Sequence, residues 1–343
     1  MRWVKRILIF LAVVIVGIGV YAFITVRASF PQLNGEVEVS ILDDTVTVHR
    51  DVYGVPHIYA SSSADLFRAQ GYVEAQDRFY QMDFWRHIGS ARLAEMFGES
   101  QVETDMFLRS LGFEDLARRE LELIDSEAMQ ALQWYADGVN AYLADHQGST
   151  LSLEYAFLPL QAPGYEPEPW EPIDTLTWAK VMSWDLSGNF RNEIARVVLG
   201  STLGAERTDQ LYPPFPGDKP LIAPAGDVSS DGYQHASLPR ETIATLDSFS
   251  RVAGLVDGLT GGGFEGIGSN NWVVAGSLTS TGGALLANDP HLANQMPSIW
   301  YEVGLHCLPA GEQCPYEVTG FSFPGTPGVV IGHNATIAWG VTT

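Results

Sequence analysis

Apolar and polar positions follow three different rhythms along the 343 residues. Residues 7–26 form a run of 20 without a charge, long enough to cross a bilayer. Behind it, residues 36–40 and 45–48 alternate with a period of two and predict two strands, with Asp43-Asp44 as the turn between them. A helical period then takes over. Ser63-Ala64-Asp65 reads as a helix start, the pattern runs to Met82, and a second stretch covers residues 84–98. Residues 127–146 place Met129, Leu132, Tyr135, Val139 and Tyr142 on one face, a packing stripe. The Pro-rich stretch 161–170 breaks the pattern, and residues 176–186 resume a helix.

The second half changes character. Residues 213–268 are rich in Gly, Ser, Asp and Pro and end near Gly261-Gly262-Gly263. Such a backbone suits a spacer that is cut out, and equally a plain flexible linker. Residues 270–274 and 284–287 then read as a hairpin around a turn at 277–283. Pairing about a turn centred near Ser280 matches residues whose numbers sum to about 560, placing Ser269 opposite His291 within two positions. Pro290 cannot donate to a ladder, so Asn288-Asp289-Pro290-His291 is expected to end the second strand. Gly332-His333-Asn334 reads as a turn, and residues 336–343 as a last strand.

Charge narrows the partners. Lys plus Arg number 19 against 41 Asp plus Glu, a formal net charge of −22, so clustered cations for phosphate contacts are lacking and nucleic acid is not an expected partner. With 46% hydrophobic residues the chain has ordinary globular content. Arg2, Lys5 and Arg6 precede the apolar run and a single Arg27 follows it, which puts the amino terminus in the cytoplasm and the body outside. An uncleaved anchor and a signal cut near Ala28 both remain open. In an oxidising compartment Cys307 and Cys314 are expected to close a short loop as a disulfide. His49, His57 and His333 have no carboxylate at metal spacing and are read as structural.

The chemistry centres on Gly268-Ser269. A cut there would give Ser269 a free α-amine, with an ordinary pKa of about 7.7–8.0, able to take the proton from its own hydroxyl. Gly268-Ser269-Asn270-Asn271-Trp272 and Asn288-Asp289-Pro290-His291 resemble the start of the catalytic chain of the penicillin acylase family. Arg50-Asp51, Gly54-Val55-Pro56-His57, Ala75-Gln76-Asp77-Arg78 and Gln81-Met82-Asp83 resemble its amino-terminal chain. Pro324-Gly325, Pro327-Gly328, Gly332-His333-Asn334 and Ala338-Trp339-Gly340 resemble the segment after the nucleophile. The resemblance covers nearly everything from residue 35 onward.

That resemblance implies an α+β chain, a truncated four-layer αββα amino-terminal-nucleophile hydrolase with a mostly helical amino-terminal part. It implies export, self-cleavage at Gly268-Ser269, and a heterodimer of the two resulting chains that hydrolyses the amide of an N-acyl small molecule. Ser269 would be nucleophile, His291 its orienting neighbour, and the backbone N–H of Thr343 an oxyanion donor. No organic cofactor is implied; a structural calcium ion is, with Glu193 as one ligand and its partners beyond Thr343. A second oxyanion donor, an Asn farther along, has no counterpart in this sequence, so the chain reads as an inactive piece of the enzyme. The expected segments are 1–28 signal or anchor, 29–212 amino-terminal chain, 213–268 spacer and 269–343 start of the catalytic chain. The alternative is a membrane-anchored binding or scaffold protein that keeps the fold without processing.

Overall fold

The computed structural model describes residues 2–187, 189–213, 239–260, 268–292 and 294–342. They fall into two units, residues 1–183 with 266–343 and residues 184–265. Helix α1 (Arg2–Ala28) is apolar, exposed along nearly its whole length, and long enough to cross a membrane, which is compatible with a signal sequence or an anchor. Ten helices in all are described. The others are α2 (Ser63–Gly89), α3 (Leu93–Phe97), α4 (Val102–Leu111), α5 (Phe113–Leu121), α6 (Ser126–Asp145), α7 (Pro172–Leu186), α8 (Asn189–Leu203), α9 (Ala205–Leu211) and α10 (Arg240–Thr260).

A six-stranded sheet backs the helices of the first unit. In spatial order its strands are β1 (Thr47–Arg50), β2 (Pro56–Ala60), β5 (Tyr301–Cys307), β6 (Glu317–Ser322), β7 (Ile331–Asn334) and β8 (Ala338–Trp339). A separate two-stranded ribbon holds β3 (Gly268–Val274) and β4 (Leu285–His291). Every pairing is antiparallel except β2 with β5, which are parallel from His57 opposite Gly304 to Ala60 opposite Cys307. The mixed helix-and-sheet class and the mostly helical amino-terminal part therefore hold.

Helix α2 begins where the sequence predicts, with the Ser62 hydroxyl accepting from the Asp65 N–H. It runs unbroken to Gly89, so residues 84–89 continue this helix instead of starting a new one. One face, Leu66, Ala69 and Val73, packs on Ile58, Ala60, Val303 and Leu305 of the sheet. Another, Phe79 and Met82, packs on Tyr135, Val139 and Tyr142 of α6, the predicted stripe, and on Trp170. The α2 and α6 backbones touch because two glycines meet there: a Cβ on Gly71 would stand 2.1 Å from the Tyr135 carbonyl oxygen, and one on Gly138 1.8 Å from that of Arg68.

Three sequence expectations fail locally. Residues 36–40 are not a strand; Asp43 and Asp44 instead donate their backbone N–H groups to the Asp65 carboxylate, at 3.0 and 3.2 Å. The partner of β1 is β2, after a turn in which Asp51 Oδ1 accepts from the N–H groups of Tyr53 and Val55. Gly332-His333-Asn334 lies in β7, and the turn comes later, where Asn334 Oδ1 accepts from Thr336 and Ile337 N–H. Of residues 336–343 only Ala338–Trp339 pair as a strand.

Most of the expected spacer, residues 214–238 and 261–267, lies outside the described residues, and α10 occupies much of what remains. The second unit has its own apolar contacts, including Phe190 edge-on to Phe249 at 6.0 Å, with Ala253 and Val256 buried.

Buried polar groups tie the first unit together. Arg50 makes a bidentate pair with Asp77 at 2.8 and 2.9 Å, and the Tyr301 hydroxyl donates to the same carboxylate at 2.6 Å. Glu74 is wholly buried in α2 and accepts from Gln70 Nε2 at 2.9 Å, the Tyr135 hydroxyl at 2.5 Å and the Gly325 N–H at 3.2 Å. Gln70 also accepts from the Gly328 N–H at 2.8 Å, so the Pro324-Gly328 loop between β6 and β7 hangs on one turn of α2. Burial pushes the Glu74 carboxyl up to about 8 despite the three hydrogen bonds, which act the other way.

A raised carboxyl means the folded state holds a proton that the unfolded chain, titrating near 4.5, has lost. The contribution of Glu74 is then full below about pH 4.5 and falls away as pH rises through about 8. Denaturant unfolding should show the parent losing stability relative to Glu74→Gln between pH 5 and pH 8. A constant difference over that range would contradict it. The Cys307–Cys314 disulfide is formed as expected, and alkylation of non-reduced protein should label neither thiol until reductant is added.

Candidate active site

Ser269 is the second residue of β3, half-buried, with its nitrogen in the peptide bond to Gly268. The ribbon register is one residue away from the expected pairing: Ser269 lies opposite Pro290 and Gly268 opposite His291. The loop 275–284 has an even number of residues, so its centre falls between Thr279 and Ser280 instead of on Ser280. The consequence is large, since opposite residues share a face and neighbours along a strand do not. Ser269, Asn271, Asn288 and Pro290 occupy one face of the ribbon; Gly268, Asn270, Asp289 and His291 occupy the other.

His291 therefore does not stand beside the Ser269 hydroxyl in the uncleaved chain. Its Nε2 lies 3.0 Å from Asp289 Oδ2, and the ring is exposed. β4 ends at His291, the end expected for the second strand, with Pro290 tolerated in a two-stranded ribbon.

What stands on the Ser269 face instead is the chain just after β8. Asn288 grips Val341 at both backbone groups, donating from Nδ2 to its carbonyl at 2.8 Å and accepting from its N–H at Oδ1 at 3.1 Å. The same Nδ2 reaches the Asn270 carbonyl at 3.2 Å, so one amide joins both ribbon strands to the 340–342 segment. Gly340 permits this approach, because a Cβ there would fall 2.7 Å from Asn288. Trp339 Nε1 donates to the Val330 carbonyl at 3.0 Å and fixes β8 against the start of β7. Next in line, Thr342 brings its Oγ1 to 2.6 Å from Ser269 Oγ. The sequence motifs gave Asn270, Asn288, Trp339 and Gly340, but neither Val341 and Thr342 nor the cross-tie: nothing in spacing alone connects position 288 to position 341.

Thr343 lies outside the described residues, one position beyond Thr342. Glu193 is exposed on α8. Among the described residues no three His, Cys, Asp or Glu side chains converge as a metal site, and calcium takes six to eight oxygen ligands.

Residues 45–343 match the family model described as penicillin amidase. Penicillin acylase 2 proenzyme of Pseudomonas sp. (strain SE83) is 34% identical over 317 residues, covering 92% of this chain and 38% of the relative. Acyl-homoserine lactone acylase QuiP of Pseudomonas aeruginosa is 31% identical over 327 residues, covering 92% and 35%. A solved structure of a thermostable penicillin G acylase from Alcaligenes faecalis aligns with a TM-score of 0.44 and 29% identity, over 53% of this chain and 97% of that one. The chain spans little more than a third of the length of these two curated relatives. Matched along all but its first 44 residues, the chain belongs to the penicillin amidase family.

Proposed function

We propose that this chain is the self-processing part of an exported amidohydrolase that acts on N-acylated small molecules through Ser269. The observation that carries the reading is the position of Ser269: in a chain matched to the family from residue 45 onward, it follows Gly268 at the start of β3, its hydroxyl facing the 340–342 segment.

Maturation would begin with attack of Ser269 Oγ on the Gly268 carbonyl carbon. The new C–O bond replaces the Gly268–Ser269 C–N bond, the hydroxyl proton passes to the released nitrogen, and water cleaves the resulting ester to a Gly268 carboxylate. Ser269 then carries a free α-amine. In turnover that amine takes the hydroxyl proton as Oγ attacks the substrate acyl carbon, and returns it to the departing amine. Water resolves the acyl ester. The oxyanion would accept from the Thr343 backbone N–H and from a donor farther along the complete protein; one such donor is typically worth about 3–4 kcal/mol.

Relatives named for penicillin and for acyl-homoserine lactones suggest the substrate class, an acyl group on a small amine. Cleavage would not separate the halves. β2 pairs with β5, Arg50 and Asp77 reach Tyr301, and Gln70 and Glu74 hold Gly325 and Gly328, all across the junction. The product is a heterodimer of self-derived chains, delivered outside the cytoplasm behind α1. A calcium ion held partly by Glu193 remains a proposal from the family alone, and no step above uses it.

Expression of the complete gene should yield two chains, the second beginning at Ser269, as read by intact mass or Edman sequencing. Ser269→Ala should abolish both cleavage and hydrolysis of an N-acyl substrate. His291→Gln, on the other face of the ribbon, should cost no more than about tenfold in either rate. A single unprocessed chain that hydrolyses nothing would favour the anchored binding protein, and a hydrolytically normal Ser269→Ala would sink the nucleophile.

A further inference from the structure

We propose that Thr342 is a positioning residue for the Ser269 hydroxyl. This rests on Ser269 being the nucleophile, and it adds a residue to that reading.

Two contacts define the geometry. Thr342 Oγ1 donates to the Ser269 backbone carbonyl at 3.2 Å, and lies 2.6 Å from Ser269 Oγ. A hydroxyl has one hydrogen. With that of Thr342 directed to the carbonyl, the short Oγ–Oγ contact runs from Ser269 to Thr342, within the usual range for O–H···O. Ser269 Oγ is thereby held in one rotamer, and its hydrogen turns from Thr342 to the accepting nitrogen as Oγ attacks the carbonyl carbon. Thr342 is no base, because its hydroxyl does not ionise at working pH. Its effect is to select one Ser269 rotamer from several.

Such an arrangement would not persist by itself between two side chains 73 residues apart. Thr342 is exposed, where water competes for each hydroxyl. The backbone holds it in place. Asn288 clamps both polar groups of Val341, the preceding residue, and the absence of a side chain on Gly340 lets that clamp close. The β-branch of threonine restricts χ1 further. The path of placement thus runs from Gly340 and Asn288 through Val341 to the Thr342 hydroxyl, and from there to Ser269.

The experiment uses the complete protein with Thr342→Val, which keeps shape and removes the hydroxyl, and Thr342→Ser, which keeps the hydroxyl. Two quantities are read: the first-order rate of Gly268–Ser269 cleavage by intact mass, and kcat and KM on an N-acyl substrate after processing. Thr342→Val should lower the cleavage rate and kcat by about 10- to 100-fold with KM changed less than about threefold. Thr342→Ser should stay within about threefold of the parent in both. Thr342→Ala carries the same expectation as valine and replaces it if the valine variant does not fold. Parental rates in the variants lacking the hydroxyl, serine as slow as valine, or an effect confined to KM would each overturn the proposal. A Ser269→Ala control that still hydrolyses substrate removes the nucleophile and this proposal together, whereas the threonine outcomes alone remove only the latter.

Discussion

The parallel ladder between β2 and β5 is the constraint on which the first unit rests. It joins residues 57–60 to residues 304–307, so the two amino-terminal strands and the strands after the candidate cleavage site form one sheet or none. Helix α2 lies across that joint with its apolar face on both strands. The buried polar contacts follow the same line. Asp77 on α2 meets Arg50 on β1 and Tyr301 on β5, and Glu74 and Gln70 on the same helix hold the loop between β6 and β7. Charges and amides this deep are tolerable only when each has its partners, so displacement of either segment would strand several at once.

The ribbon that carries Ser269 depends on this framework only indirectly. It is not part of the six-stranded sheet, and it is tied to the segment after β8 through Asn288 on Val341 and Ser269 on Thr342. The site therefore inherits its precision from a short stretch of backbone, residues 340–342, which β7, β8 and the Trp339 indole hold in turn.

Much of this was legible in the sequence where a period is long or a motif dense. α6 spans more than five turns and its stripe from Met129 to Tyr142 nearly four, enough for the pattern to identify both helix and face. Ser63-Ala64-Asp65 announced the start of α2, where the structure adds a local cap from the neighbouring Ser62 hydroxyl. The disulfide needed only two cysteines and an oxidising compartment. What failed were short elements whose identity is set by distant partners. β2 begins with Pro56 and has five residues, too few for alternation to speak, and its pairing comes from β1 and β5. Asp43 and Asp44 look like a hairpin turn, but the carboxylate that claims their N–H groups is on a helix more than twenty residues away. At the site, the hairpin was visible and its register was missed by one residue. In a structure of period two, one residue exchanges the side chain facing the serine, from His291 to residues of the opposite face.

The topology of the β2–β5 pair also sets an order of events in time. Nearly 250 residues separate the paired strands, so β2 has only β1 as a neighbour until the last sixth of this sequence has been made. Loop closure over such a distance is slow, and contacts that need it form after local ones. α2 and α6, by contrast, can meet early through Gly71 and Gly138. A chain stalled before residue 304 would hold that helical pair and its buried Glu74 without the loop that supplies the Gly325 N–H. The amide that completes the shell of the Glu74 carboxyl thus arrives well after the helical pair, and its arrival reports that the strands following Gly268–Ser269 are in place.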